Sequence, residues 1–219
     1  MTPRTAATFS PPVMEARRWL TGVHFDADRP LIHVSQAAPV DPPPQAMRQA
    51  MADVALNNDD AHLYGPVLGL PELRDELAAQ VSAHYAGAVE PAQAAITSGC
   101  NQAFAAAIAT LCAEGDEVIL PVPWYFNHKM WLDMSGVAAV PLPVGDTLLP
   151  DPEQAAALIT DRTRAIALVT PNNPGGVEYP EELVQAFFDL ARARGIALIL
   201  DETYREDRKS TRLNSSHVS

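Results

Sequence analysis

Residues 164–176 read RAIALVTPNNPGG. The apolar run from Ala165 to Val169 stops at Thr170 and gives way to a turn of proline, asparagine and glycine. A strand with one wet face alternates apolar and polar residues, whereas this run is apolar at every position. It therefore predicts a strand buried on both faces. Proline and glycine end such a strand sharply, and the two amides of Asn172 and Asn173, held in a rigid turn, can be aimed at a ring substituent or a carboxylate.

Outward from this stretch the same grammar repeats. AAIT (94–97), EVILP (117–121), VAAVPL (137–142) and IALIL (196–200) are apolar runs of strand length. Helical patterns near 100–113, 125–134, 152–159 and 180–194 separate them. Five such runs alternating with helices predict an α/β fold, a mostly parallel sheet sandwiched by helices. Right-handed crossovers then place the loops that follow the strands along one sheet edge, where ligands of such folds sit.

Upstream, PELRDELAAQVSAHY (71–85) is amphipathic and opens on Pro71, a favoured first helical residue. QAMRQAMADVAL, from Gln45, suits a helix ending in the turn-forming run 57–60. Residues 1–44 carry the cluster Pro39, Pro42, Pro43 and Pro44 and read as an arm or linker. The last stretch, REDRKSTRLNSSHVS (205–219), is polar and aperiodic. KSTRLNSSHVS resembles translated vector or adapter sequence, so 205–219 is expected to be a non-native tail outside the fold.

The chain has 219 residues, 47% of them hydrophobic, enough for a sizeable core. A net charge of -12 repels phosphate backbones and anionic lipid, which argues against nucleic acid and membrane partners. No run approaches the roughly 18 apolar residues that span a bilayer, and the opening lacks a signal-peptide core, so a cytoplasmic location is expected. Cys100 and Cys112 lie in one helical stretch about 18 Å apart by helical rise and cannot be bridged. The six histidines include no pair at ligand spacing with a carboxylate or cysteine partner, so no metal site is expected.

Chemistry-bearing residues gather at the strand ends. Gly99, Cys100 and Asn101 enter a helix after AAIT, and unpaired N–H groups there suit a phosphate. Trp124, Tyr125 and Phe126 follow EVILP, where an aromatic ring can stack on a flat heteroaromatic one. Asp201 closes IALIL, and a carboxylate at the end of a buried strand is costly unless it meets a cation. Tyr204 lies three residues on.

Four stretches taken together, YGPVLGLPELR (64–74), ITSGCNQAF (96–104), PNNPGG (171–176) and DETY (201–204), resemble the class I/II aminotransferases of the fold type I pyridoxal 5'-phosphate (PLP) enzymes, over residues 30–204. The resemblance implies a small-domain segment within 1–44 and a PLP-binding large domain over 45–204. It implies that Asp201 pairs with the ring nitrogen and keeps it protonated, and that Asn173 and Tyr204 hydrogen-bond the ring's phenolic oxygen. By the same resemblance Gly99, Cys100 and Asn101 cradle the phosphate, and Tyr125 stacks on the ring, with Trp124 as the alternative. Cys100 has a rival reading as an activated thiol, but no basic residue nearby supports it. Tyr64 resembles the tyrosine that reaches the phosphate of a partner subunit, implying a homodimer. The substrates implied are an amino acid and a 2-oxo acid. A PLP-dependent C–S β-lyase, a non-catalytic domain of the same fold and a nucleotide-binding α/β protein are the alternatives, the last without a Gly-rich fingerprint.

The sequence departs from the family pattern at Gly175, where threonine is usual, which is expected to loosen the turn. Ala37 and Ala38 stand where many members have glycine and would narrow the approach to the substrate carboxylate. The lysine that forms the Schiff base and the late arginine that grips the substrate have no counterpart. Lys129 and Lys209 are the two lysines, neither in a matching context, so the chain is expected to be a fragment with no catalytic residue of its own.

Overall fold

Alternation along the central strands sorts their side chains onto two faces, and the computed structural model of the chain, which describes residues 3–36 and 41–207, has both faces covered. In chain order the elements are α1 (Pro12–Trp19), α2 (Gln45–Asn57), α3 (Pro71–His84), α4 (Cys100–Leu111), β1 (Glu117–Val122), α5 (Phe126–Ser135), β2 (Ala138–Pro143), α6 (Pro152–Leu158), β3 (Thr163–Val169), α7 (Glu181–Arg194) and β4 (Ala197–Asp201). Ala37 and Ala38, and Lys209 with the rest of 208–219, lie outside the described residues.

The strands form one sheet in the order β2-β1-β3-β4, every pair parallel. Val118, Leu120, Ala165 and Ala167 point to one face, into a cluster with Phe104 and Ile108 of α4 and Leu132 of α5. Ile119, Ile166 and Leu168 point to the other, with Ala155 of α6 and Phe187 of α7. The continuous apolar reading of 165–169 thus has its cause: the side chains of 165–168 enter one core or the other in turn, and Val169 is buried just beyond them.

Burial of Glu117 at the start of β1 is made tolerable by its partners. Thr160 Oγ1 and an Arg162 guanidinium nitrogen each lie 2.5 Å from its carboxylate. The Thr160 hydrogen bond, opposed by burial and reinforced by Arg162 and Thr163, holds the carboxyl below its ordinary range. The β1–β3 register shifts between Glu117 and Val118, where this network sits.

Two expectations are corrected. AAIT is not a strand: no described strand pairs with it, and Ile96 N–H donates to Leu68 O at 2.9 Å instead. A strand requires a ladder partner, and the four ladder-forming segments all lie in the other of two compact units into which the chain divides, Met1–Met14 with Gly99–Ser219, and Glu15–Ser98. Within the arm, PVMEARRW (12–19) forms α1, with Pro12 as its first residue.

In the unit Glu15–Ser98, two residues of the YGPVLGLPELR stretch have structural work. Gly69 has φ +101°, and a Cβ built on it would lie 2.5 Å from Ile96 Cγ1, so both the backbone conformation and the space exclude a side chain. Arg74 donates to the carbonyls of Ala94 at 2.8 Å and Pro91 at 2.7 Å, clamping the 91–94 segment against α3.

Candidate functional site

The C-terminal ends of β1, β3 and β4 and the first residue of α4 meet at one edge of the sheet. A cavity of about 240 Å³ there is lined by Cys100, Asn101, Tyr125, Asn173, Asp201 and Tyr204, six of the eight residues singled out from the sequence, with Val169 and Thr203 completing the wall. Gly99 precedes them as the residue before α4, with φ 92° and ψ 166°, a conformation essentially reserved for glycine. Its extended turn delivers Cys100 and Asn101 at the helix start, where N–H groups lack intrahelical acceptors. Tyr64 belongs to the unit Glu15–Ser98 and is fully exposed.

Asp201 is 4% exposed. His128 Nε2 lies 3.1 Å from its Oδ2, and Oδ1 accepts from the Thr203 N–H at 3.1 Å and the Thr203 hydroxyl at 2.7 Å. Burial alone would raise the carboxyl. The hydrogen bonds of His128 and Thr203 together outweigh it and hold the group well below the usual carboxylate range. His128, itself buried, stacks on Phe104 with ring centroids 3.9 Å apart and meets the edge of Tyr125 at 5.1 Å. The carboxylate is therefore an oriented anion at the cavity wall.

The two asparagines of PNNPGG have separate work. Asn172 closes the turn: Oδ1 accepts from Gly175 N–H at 2.8 Å, and the amide donates to Val169 O at 3.3 Å and Tyr179 Oη at 3.1 Å. Burial pushes the Tyr179 phenol up to about 12, with the Asn172 bond opposing. Asn173 faces the cavity and donates to Tyr204 Oη at 3.2 Å. Gly175 does not loosen this turn, because the Asn172 carboxamide fills the space beside it; a Cβ there would lie 2.6 Å from Asn172 Oδ1.

Tyr125, just before α5, lines the cavity, whereas Trp124 packs against the α4/α5 core cluster with the Lys129 ammonium 5.6 Å from its ring centre. Lys129 is also paired with Asp133 one helical turn on. Asn127 donates to Tyr125 Oη at 2.8 Å and to Asn101 Oδ1 at 3.4 Å, linking the aromatic to the α4 entry. The Cys100 thiol is raised, first by desolvation and further by the Asp201 carboxylate, with a Thr203 hydrogen bond opposing.

Residues 29–206 match the family model described as aminotransferase class I and II. The chain belongs to this aminotransferase family. An aspartate aminotransferase of Streptomyces avermitilis is 31% identical over 180 residues, 81% of this chain and 44% of that protein. An aromatic aminotransferase of Arabidopsis thaliana is 35% identical over 146 residues, 64% of this chain and 36% of that one. Among solved structures, the aspartate aminotransferase of Thermus thermophilus with maleate superposes with a TM-score of 0.79 at 27% identity, covering 92% of this chain and 53% of that one. The chain spans half or less of the length of most of these aminotransferases.

For a chain of the aminotransferase family, three site residues went unread in the sequence: His128, Asn127 and Thr203. His128 stands three residues after Tyr125, so the first turn of α5 brings it to the side of the helix that faces Phe104 and Asp201. Asn127 and Thr203 carry no periodic signal, since each acts through a polar side chain at an element end. No helix among the described residues is long and apolar enough to cross a membrane, and no metal-ligating group of three His, Cys, Asp or Glu occurs among them.

Proposed function

We propose that the complete protein is a PLP-dependent aminotransferase that moves an amino group between an amino acid and a 2-oxo acid. The observation that carries this reading is Asp201, a buried carboxylate kept ionised by three donors at the wall of a 240 Å³ cavity. An anion so held at the cavity wall can accept a further N–H from a ligand, and a protonated pyridine nitrogen of PLP fits that place. When bound, PLP supplies an electron sink for the carbanion left after the amino acid's α-proton is removed.

The chain's own residues then divide the work. Asp201 would hold the proton at the ring nitrogen. Asn173 and Tyr204, already within hydrogen-bond reach of each other, would turn to the ring's phenolic oxygen. Gly99, Cys100 and Asn101 would take the phosphate through backbone N–H groups at the start of α4, the favourable end of its dipole. Tyr125, held by Asn127, would lie on the ring face. Lys129, the one lysine among the described residues, is tied to Asp133 and is not the cofactor's carrier. Tyr64, uncovered within its own unit, would meet the phosphate of a second subunit, so the active species is a homodimer.

The test has two arms. Titrating the 219-residue protein with PLP, followed by tryptophan fluorescence, is expected to show saturable binding that Asp201→Ala weakens at least tenfold, with no absorption band that borohydride fixes. The protein from the complete coding sequence is expected to convert an amino acid and a 2-oxo acid into their exchanged partners. Release of pyruvate and ammonia instead would establish a lyase, and binding indifferent to Asp201→Ala would overturn the cofactor assignment.

A further inference from the structure

A carboxylate turns easily about its last side-chain bond, because that torsion is broad rather than three-fold. Around Asp201 the torsion is fixed from both ends. His128 holds Oδ2, and Thr203 holds Oδ1 twice, through its N–H and its hydroxyl. Thr203 is an exposed residue at the cavity wall and joins neither apolar cluster, so its hydroxyl is not there to fill a core. A hydroxyl has one proton. Thr203 commits it to Asp201 over 2.7 Å.

We propose that Thr203 is a positioning residue for the aminotransferase reading above: its hydroxyl holds the Asp201 carboxylate turned toward the cavity and keeps it an acceptor, so that a proton between it and a ring nitrogen rests on the nitrogen. Without that hydroxyl, Oδ1 keeps only the Thr203 N–H. The carboxylate then gains rotational freedom and becomes a better base, and it competes for the proton that the ring nitrogen needs. The ionisable groups facing it are His128 from α5, the Cys100 thiol from α4, and the Tyr125 and Tyr204 phenols that share the cavity.

Thr203→Val keeps the shape of the side chain and deletes the hydroxyl; Thr203→Ser keeps the hydroxyl. The first measurement is the side-chain carboxyl 13C signal of Asp201 in the protein of this sequence, titrated downward from neutral pH without cofactor. Losing one hydrogen bond to a charged group raises the onset of protonation by about one pH unit in Thr203→Val, while Thr203→Ser follows the parent. The second uses 15N-labelled PLP as the probe. Its ring nitrogen is expected in the protonated range with the parent and Thr203→Ser, and to move toward the unprotonated range with Thr203→Val. An Asp201 titration unchanged in Thr203→Val overturns the inference alone, whether or not PLP binds. Failure of the parent protein to bind PLP overturns the cofactor assignment and, with it, this role for Thr203, whatever Asp201 does.

Discussion

His128→Phe separates the hydrogen bond of His128 from its packing. Phenylalanine preserves a flat ring against Phe104, where the imidazole now stacks at 3.9 Å, and removes the nitrogen that lies 3.1 Å from Asp201 Oδ2. The carboxylate is 4% exposed, so solvent cannot replace the lost donor. A hydrogen bond to a charged group is worth about 1.5–3 kcal/mol, and the variant should lose that much stability at pH 7.5. The sign of its pH dependence follows from the direction of the shift. A carboxyl held below its unfolded value stabilises the fold fully above the ordinary carboxylate range and loses that contribution as the pH falls toward the folded value. In His128→Phe the folded value rises, so the contribution is smaller and fades at higher pH. The unfolded value is common to both, so the difference between parent and variant holds from pH 7.5 down to about pH 4 and closes only as the pH falls through the variant's folded value. Urea unfolding followed by tryptophan fluorescence at pH 7.5 and 4 measures it, and a double-mutant cycle with Asp201→Asn should return a coupling of the same size. A variant as stable as the parent at pH 7.5, or a difference that grows on acidification, would refute the reasoning.

Gly69→Ala meets both a strained φ of +101° and a contact of 2.5 Å with the Ile96 side chain. It should cost at least about 2 kcal/mol in urea unfolding, and a loss under about 0.5 kcal/mol would show that the 64–74 loop yields freely. In a Cys112→Ser background, alkylation of Cys100 should follow a thiolate midpoint above 9, its ordinary value, and Asp201→Asn should bring that midpoint down. A midpoint below about 8 would restore the reading of Cys100 as an activated thiol.

The sheet was legible because the inward positions of β1, β3 and β4 are apolar except at the strand ends, where Glu117, Thr163 and Asp201 lie buried, and the breaks between strands are marked by proline, glycine or a change of period. AAIT had the same local signal as those strands and misled for a physical reason: composition reports burial, not the partner a ladder needs. α1 was missed because the prolines around it read as an arm, although Pro12 at a helix start costs nothing. At the site, residues on strand ends and in the rigid turn could be found from position alone. Asn172 and Asn173 could not be told apart, since which amide faces the cavity is decided by backbone direction after Pro171, and no composition encodes that.

What sequence reading could not supply was the carboxylate's company. Asp201 was readable as a buried anion in want of a cation, yet the described structure answers that need with His128 and the two Thr203 donors. Those donors keep the charge in place before any ligand arrives, so the energetic cost of burying the anion is met by the fold. A ligand that brings its own N–H to the cavity does not have to repay the desolvation of Asp201 and can spend that interaction on orientation. His128 comes from α5, which follows β1, and Thr203 follows β4, two strands away in the sheet. The parallel order β1-β3-β4 is thus what brings His128 within 3.1 Å of Asp201, while Thr203, two residues past it, completes the set locally, so topology and local turn together make the anion possible.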